Sequence, residues 1–422
     1  MRCQCFLIHL LGIPPTLLYG TYVCFFTPSG LLDLRWGLFT PFTPPVPLST
    51  SPLVASSPPL AKSPPPVDES PALVSSPPVD PPPFDTLPPD SSDYTTAWNS
   101  VAFGNGTFVA ISGPGPTYHE VNRQRCHLDW SSSANDGRIW LSVTYGNHMF
   151  VAVGSIVDVK GTQQVMTSTD DGITWTGHLS PNGENKWTSV TYGMANDIDM
   201  NGQLQNFVTG AFIAVAYRGT NRIMVSYDGA SWLGYKSVYG NATVLESNMW
   251  TSITYGCGKF VVVAEGGINR TMSSTDGYTW IRGSSLAADI DKNGWQSVTY
   301  GNGMFLSVAS AGSNRVMRST NGINWNLYKS SDETNLWKSV TYGNGMFVAV
   351  AAYQPYFCPP IIICFQLTNH SMWSTDGIMW TGQPVANDDK NGWQSVTYGN
   401  GMFVAVANKR AMNRTMSHPD SF

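Results

Sequence analysis

Charge is scarce in this chain. Only 12% of its 422 residues are Asp, Glu, Lys or Arg, and no stretch concentrates Lys and Arg. From Trp98 onward 20 basic residues face 21 acidic ones, so there is no basic face of the kind that neutralises nucleic-acid phosphates. Nucleic-acid partners are disfavoured. Cysteine is equally uninformative, because Cys3, Cys5 and Cys24 lie near the start, Cys126 and Cys257 lie in separate repeats, and only Cys358 and Cys364 are close enough for a local bridge. Stability must therefore come from packing rather than a disulfide framework. Catalytic groups are sparse as well. The glutamates after Trp98 are Glu120, Glu184, Glu246, Glu265 and Glu333, none spaced for a Tyr/Glu nucleophile pair, and the histidines lack metal-ligand or triad spacing. No catalytic residue is assigned.

What is present is a repeat. The pattern W-x-S-V-T-Y-G-N-G-x-F-V-A-V opens at Trp98, Trp140, Trp187, Trp250, Trp295, Trp337 and Trp393, with spacings of 42, 47, 63, 45, 42 and 56 residues. That period is the length of a propeller blade. The expected fold is all-β: a seven-bladed β-propeller of four-stranded antiparallel blades over residues 91–422, preceded by a disordered Pro-rich segment. In the fifth repeat, Gln296 to Tyr300 alternates as a strand, Gly301-Asn302-Gly303 turns, and Met304 to Ala309 returns as an apolar strand. Asn314 to Arg318 then reads as a third strand and Ile323-Asn324-Trp325 as the start of a fourth. The last repeat ends at Ser417-His418-Pro419-Asp420, before an outer strand, so closure is expected to borrow Asp93 to Ala97 from the N-terminal side.

Two regions precede the repeats. Residues 1–27 form an apolar leader, behind Arg2 and interrupted by Pro14 and Pro15, that reads as a signal peptide or membrane anchor; a transit peptide or wrongly assigned start are the other readings. Residues 28–90 read as a Pro/Ser-rich linker, with 18 of the 29 prolines falling between 41 and 90, a composition that favours extended polyproline II or plain disorder. The stretch Tyr353 to Thr368 breaks the sixth repeat as either an apolar loop or a retained intron.

A second recurring motif precedes each fourth strand. It runs from Ser168 through Asp170 and Gly172 to Trp175, then recurs with Asp228, Gly229 and Trp232; Asp276, Gly277 and Trp280; Asn321, Gly322 and Trp325; and Asp376, Gly377 and Trp380. A degenerate copy around Cys126 to Trp130 lacks the glycine. These residues resemble the Asp-box (BNR) repeat of sialidases, photosystem assembly factors and other propellers. The resemblance implies a structural turn, in which the Ser hydroxyl and the Asx side chain bind turn amides and Trp wedges between sheets. A sialidase-like activity would also require clustered arginines and an F-R-I-P segment, which is absent. The opening and box tryptophans account for twelve of fifteen and read as core.

Function is expected on the rim opposite the Gly-Asn-Gly turns and boxes, where loops vary over a rigid scaffold. Recurrent Asn-Arg pairs place Arg222, Arg270, Arg315 and Arg414 there, either as a ligand-binding ring or as ties between blades. Acidic turns with D-x-D-x-N-G character offer a calcium reading for Asp197, Asp199 and Asn201; Asp289, Asp291 and Asn293; and Asn387, Asp389 and Asn391, against plain Asx turns. No cofactor other than calcium is called for. Sequons at Asn105, Asn241, Asn269, Asn369 and Asn413 are candidate glycosylation sites if the leader directs secretion. The expectation is a monomeric, secreted or cell-surface binding or scaffold module for a glycan or protein. A divergent sialidase-like hydrolase and an organellar assembly factor are the alternatives.

Overall fold

The computed structural model describes residues 85–86, 97–113, 138–155, 163–181, 183–198, 204–237, 248–268, 270–284, 293–352, 370–383, 392–408 and 415–419. The apolar leader, the linker up to residue 84, the degenerate box at 126–130 and the insertion at 353–368 lie outside them. Among the described residues there is no helix, and so none long and apolar enough to cross a membrane. Six antiparallel sheets have four strands each, and a further one pairs Trp98–Gly104 with Thr107–Ser112.

Each sheet is one repeat. In blade 5 the strands run Trp295–Gly301, Met304–Ala309, Val316–Ser319 and Asn326–Tyr328, each paired with the next. The expected third and fourth strands are thus found two to three residues later than the alternation suggests. Asn314 and Arg315 belong to the preceding loop, where Asn314 has φ 54°, and Trp325 closes the turn rather than entering the strand. Blade 3 replaces the short turn by a long hairpin, Lys186–Ile198 against Leu204–Arg218.

The inner strands of consecutive blades contact one another in order from Trp98–Gly104 round to Trp393–Gly399, and that last strand contacts the first. The ring is closed. Blade 7 runs outward as Trp393–Gly399, Met402–Ala407 and Thr415–Pro419, and its outer strand is Asp85–Thr86, with Asp85 opposite Ser417 and Thr86 opposite Met416. This corrects the expectation that Asp93 to Ala97 closes the ring, and it moves the start of the propeller into the region assigned to the linker. The reason is distance. The closing strand sits three interstrand steps of about 4.8 Å from the inner edge, and a segment joined directly to Trp98 cannot lie there. Eleven residues, 87–97, separate the two in sequence.

Packing between blades explains the constant residues. The opening tryptophans from Trp140 onward are fully buried, and Trp98 is 3% exposed. Trp250 and the box residue Trp280 pack on Ile213, Val215, Ile223 and Val225 of the preceding blade, so each wedge holds two sheets together. At Gly301 the constraint is space, because a Cβ there would stand 2.0 Å from Cγ of Tyr342 in the next blade. The same contact recurs from Gly104 against Tyr145 to Gly399 against Phe103. Glycine is needed here for close approach, whereas Gly303, at φ 74° with nothing within 4 Å, is needed for the turn itself.

The Ser-to-Trp turns are built alike. In blade 3 the Ser226 hydroxyl donates to Asp228 at 3.0 Å and accepts the Gly229 amide at 2.8 Å, while the Ala230 and Ser231 amides donate to Asp228 at 2.9 and 2.7 Å. The Trp232 indole N–H closes on the Gly229 carbonyl at 2.8 Å. Burial alone would raise the Asp228 pKa, but these amide and hydroxyl donors outweigh it and bring it to about 2. Asp170 and Asp376 are lowered for the same balance of causes. In blade 5, Asn321 accepts the Ile323 and Asn324 amides at 2.9 Å in the same way without a charge. A depressed folded pKa gives stability that is present above the unfolded value of about 3.9 and lost as pH falls toward the folded one. Melting temperature should therefore fall between about pH 4 and pH 2. Asp228→Asn should fold and show a shallower fall, measured by thermal melts across that range; an unchanged slope would remove Asp228 from the acid response.

Candidate functional site

Every inner strand carries a β-bulge at the same place. Pairing slips between Trp and Ser in each W-x-S segment, from Trp98/Ser100 to Trp393/Ser395, so residue x has no cross-strand partner. Bulges re-aim side chains. Here residue x and the serine line a cavity on the propeller axis, of about 380 Å³, to which all seven blades contribute.

The serines form a continuous belt. Ser100 accepts the amide of Val143, Ser142 that of Val190, Ser189 that of Ile253, Ser252 that of Val298, Ser297 that of Val340 and Ser339 that of Val396, at 3.1–3.2 Å. Ser395 accepts the amide of Val101 at 3.2 Å and completes the circle. Residue x is not constant as Trp and Ser are, and takes five kinds over the seven blades: Asn99, Leu141, Thr188, Thr251, Gln296, Lys338 and Gln394. Some of these bind the next blade. Asn99, Thr188 and Thr251 donate to the carbonyls of Trp140, Trp250 and Trp295 at 2.7–2.8 Å.

The charge of the cavity gathers at one end. Lys186 stands at the start of the blade 3 inner strand, Tyr217 and Glu265 near the ends of the second strands of blades 3 and 4, and Lys338 at position x of blade 6. These strand ends lie opposite the Asn-Gly hairpins, so the cavity opens on the rim where function was expected. The Lys186 ammonium lies 5.1 Å from the centre of the Tyr217 ring, a cation–π distance. Burial raises the Tyr217 pKa, and the Glu265 carboxylate, which accepts its hydroxyl, raises it further. Lys338 is half-buried and donates to Gln296 Oε1 at 3.0 Å. Burial holds its ammonium below the usual lysine range, Glu265 pulls the other way, and Lys186 adds to the depression.

The arginines of the sequence analysis stand elsewhere on the same rim. Arg222 donates from Nη1 to the Asn248 carbonyl, Arg270 to that of Asn293 and Arg315 to that of Asn335, the last two at 2.5 Å; each acceptor lies two residues before the next blade's opening tryptophan. Their Nε atoms donate to Gly219, Gly267 and Gly312 at 3.0–3.4 Å. This is the geometry of ties between blades, and none of the three lines the axial cavity. Gln164 makes the corresponding bond to the Asn185 carbonyl at 2.6 Å. Arg414 lies outside the described residues.

Of the calcium-loop candidates, Asp199, Asn201, Asp289, Asp291, Asn387, Asp389 and Asn391 lie outside the described residues, and Asp197 falls within the blade 3 inner strand. Asn293 is fully buried, its amide nitrogen donates to the Ser313 and Asn314 carbonyls at 2.7 and 3.2 Å, and its Oδ1 has no hydrogen-bond partner. Among the described residues no three His, Cys, Asp or Glu side chains are grouped to hold a metal. Asn105 sits at φ 48° in its hairpin turn and donates to Asp171 at 2.7 Å; the other four sequons lie outside the described residues.

Lys186, Tyr217 and the x residues were missed in the sequence, although the signal for the latter was there. A position that varies among repeats between two constant residues is one whose identity the shared blade does not dictate.

No family model and no curated protein matches the chain. Solved structures do. Catalytically inactive virginiamycin B lyase from Staphylococcus aureus with quinupristin superposes with a TM-score of 0.59 at 12% identity, covering 79% of this chain and 97% of that one. YCF48 from Cyanidioschyzon merolae gives 0.54 at 11% identity, covering 80% and 99%. YCF48 bound to D1 peptide gives 0.54 at 11% identity, covering 81% and 99%. Likeness at such identities is a likeness of fold, and with the closed ring of inner strands it makes this chain a β-propeller.

Proposed function

We propose that this chain is a binding propeller that docks a polypeptide partner at its axial mouth. The observation that carries the reading is the W-x-S bulge, which brings seven side chains of five kinds to one cavity while the flanking Trp and Ser keep the ring together. A cavity of about 380 Å³ admits a side chain with its flanking backbone and excludes a folded domain, so the partner would present a protruding segment. The YCF48 structure with a D1 peptide is a propeller of similar fold with a peptide bound. The resemblance of the Ser-to-Trp turns to Asp boxes supports the same scaffold role, since their polar groups are spent within the turn.

The test uses the full chain with a photo-crosslinking amino acid at Gln394 in the mouth or at Met379 on the opposite rim, in extract of the source cells. Crosslinks from position 394 that disappear when Lys186 and Lys338 are both changed to Glu support docking at the mouth. Equal crosslinking from position 379, or indifference to the charge reversal, would sink it.

A further inference from the structure

The wall of the axial cavity has a one-sided demand for hydrogen bonds. A hydroxyl offers one donor and two lone pairs. In each of the seven serines a lone pair is taken by the next blade's amide, and among the described residues none of these hydroxyls donates to another protein group. Their hydrogens are left for whatever occupies the axis. Gln296 and Gln394 turn their amide donors back to the Gly294 and Gly392 carbonyls at 3.4 and 3.3 Å, and the Gln296 oxygen is already spent on Lys338. Against these donors the only carboxylate lining the cavity among the described residues is Glu265, which already accepts from Tyr217.

Charge decides the kind of guest. Among the described residues Lys186 and Lys338 against Glu265 leave one net positive charge, which one negative charge balances, while a dianion such as phosphate would meet the repulsion of Glu265 in a half-buried site. A carboxylate brings acceptor lone pairs for the hydroxyls and the single charge for the ammoniums. We propose that the axial mouth is a carboxylate-binding site, filled by an acidic side chain of a partner polypeptide. This rests on the docking reading above and names its chemistry.

Titration calorimetry of the full chain tests it with four probes: the blocked peptide acetyl-Gly-Gly-Glu-Gly-Gly-amide, its Gln counterpart, acetate and inorganic phosphate. The Glu peptide should bind about tenfold or more tightly than the Gln peptide. Lys338→Met keeps the stem and should lose about that factor with an unchanged melting temperature, whereas Glu265→Gln should tighten binding by removing a competing anion. Equal binding of the two peptides, preference for phosphate, or an unaffected Lys338→Met would overturn the proposal. If acetate binds as tightly as the Glu peptide, the carboxylate site stands and polypeptide docking fails. If mouth crosslinks persist while no carboxylate probe binds, docking stands and this inference fails.

Discussion

Gly301→Ala should destabilise the whole propeller by about 3 kcal/mol, the upper end of what overpacking costs. The added methyl would lie 2.0 Å from Cγ of Tyr342, and that ring has little room to retreat because it packs at 4.8 Å on Phe347 of its own blade. The effect should depend on the neighbour. In the Gly301→Ala/Tyr342→Gly double variant the three nearest atoms the methyl would meet are gone, the Tyr342 Cβ at 2.4 Å among them, so Gly301→Ala should cost far less on top of Tyr342→Gly than it costs alone. Gly303→Ala is the control, since it strains only the turn and should cost about 1 kcal/mol. Urea unfolding of the four variants decides the matter; strictly additive losses at 301 and 342 would show that the contact is not the cause.

Trp295→Ala should cost about 3–5 kcal/mol, as expected for a large side chain removed from a core. Trp295 is fully buried between blades, packed with Val261 and Val263 on one side and Phe305 and Met317 on the other. Its indole N–H has no hydrogen-bond partner. Trp295→Phe should therefore lose much less, because it removes an unpaired donor along with part of the ring. Trp380, only half-buried, should respond more weakly to alanine than Trp295. Equal losses at the two positions in denaturant titrations would mean that opening and box tryptophans carry the same load.

The architecture was legible because each blade repeats its own instructions. Trp, Gly-Asn-Gly and the Ser-to-Trp turn recur at a fixed order, and the strands fall within a few residues of where alternation places them. Two things were not legible. The closing strand, Asp85–Thr86, is two residues long and lies in Pro-rich sequence, so neither alternation nor repetition marks it. The axial site depends on a bulge, and a bulge is set by pairing with a distant strand, so the local pattern shows Trp, x and Ser without showing where they point. The recurrent arginines drew notice because they repeat, yet repetition is the mark of residues that serve every blade alike. Arg222, Arg270 and Arg315 each brace the next blade's connector. The residues that distinguish this propeller sit at position x, where repetition fails.

The belt of serine oxygens also sets how the protein opens. A linear array of repeats frays from its ends, because a terminal repeat has one neighbour. Here the bond from Val101 to Ser395 gives the first and last blades the same two neighbours as any other. The seven amides held by that belt share one fate: none can meet solvent unless a blade leaves the circle, and a circle missing one blade has lost its geometry. In deuterated water the Val101 and Val396 amides at the seam should accordingly exchange on the same slow timescale as Val298, by opening of the whole body rather than of an end.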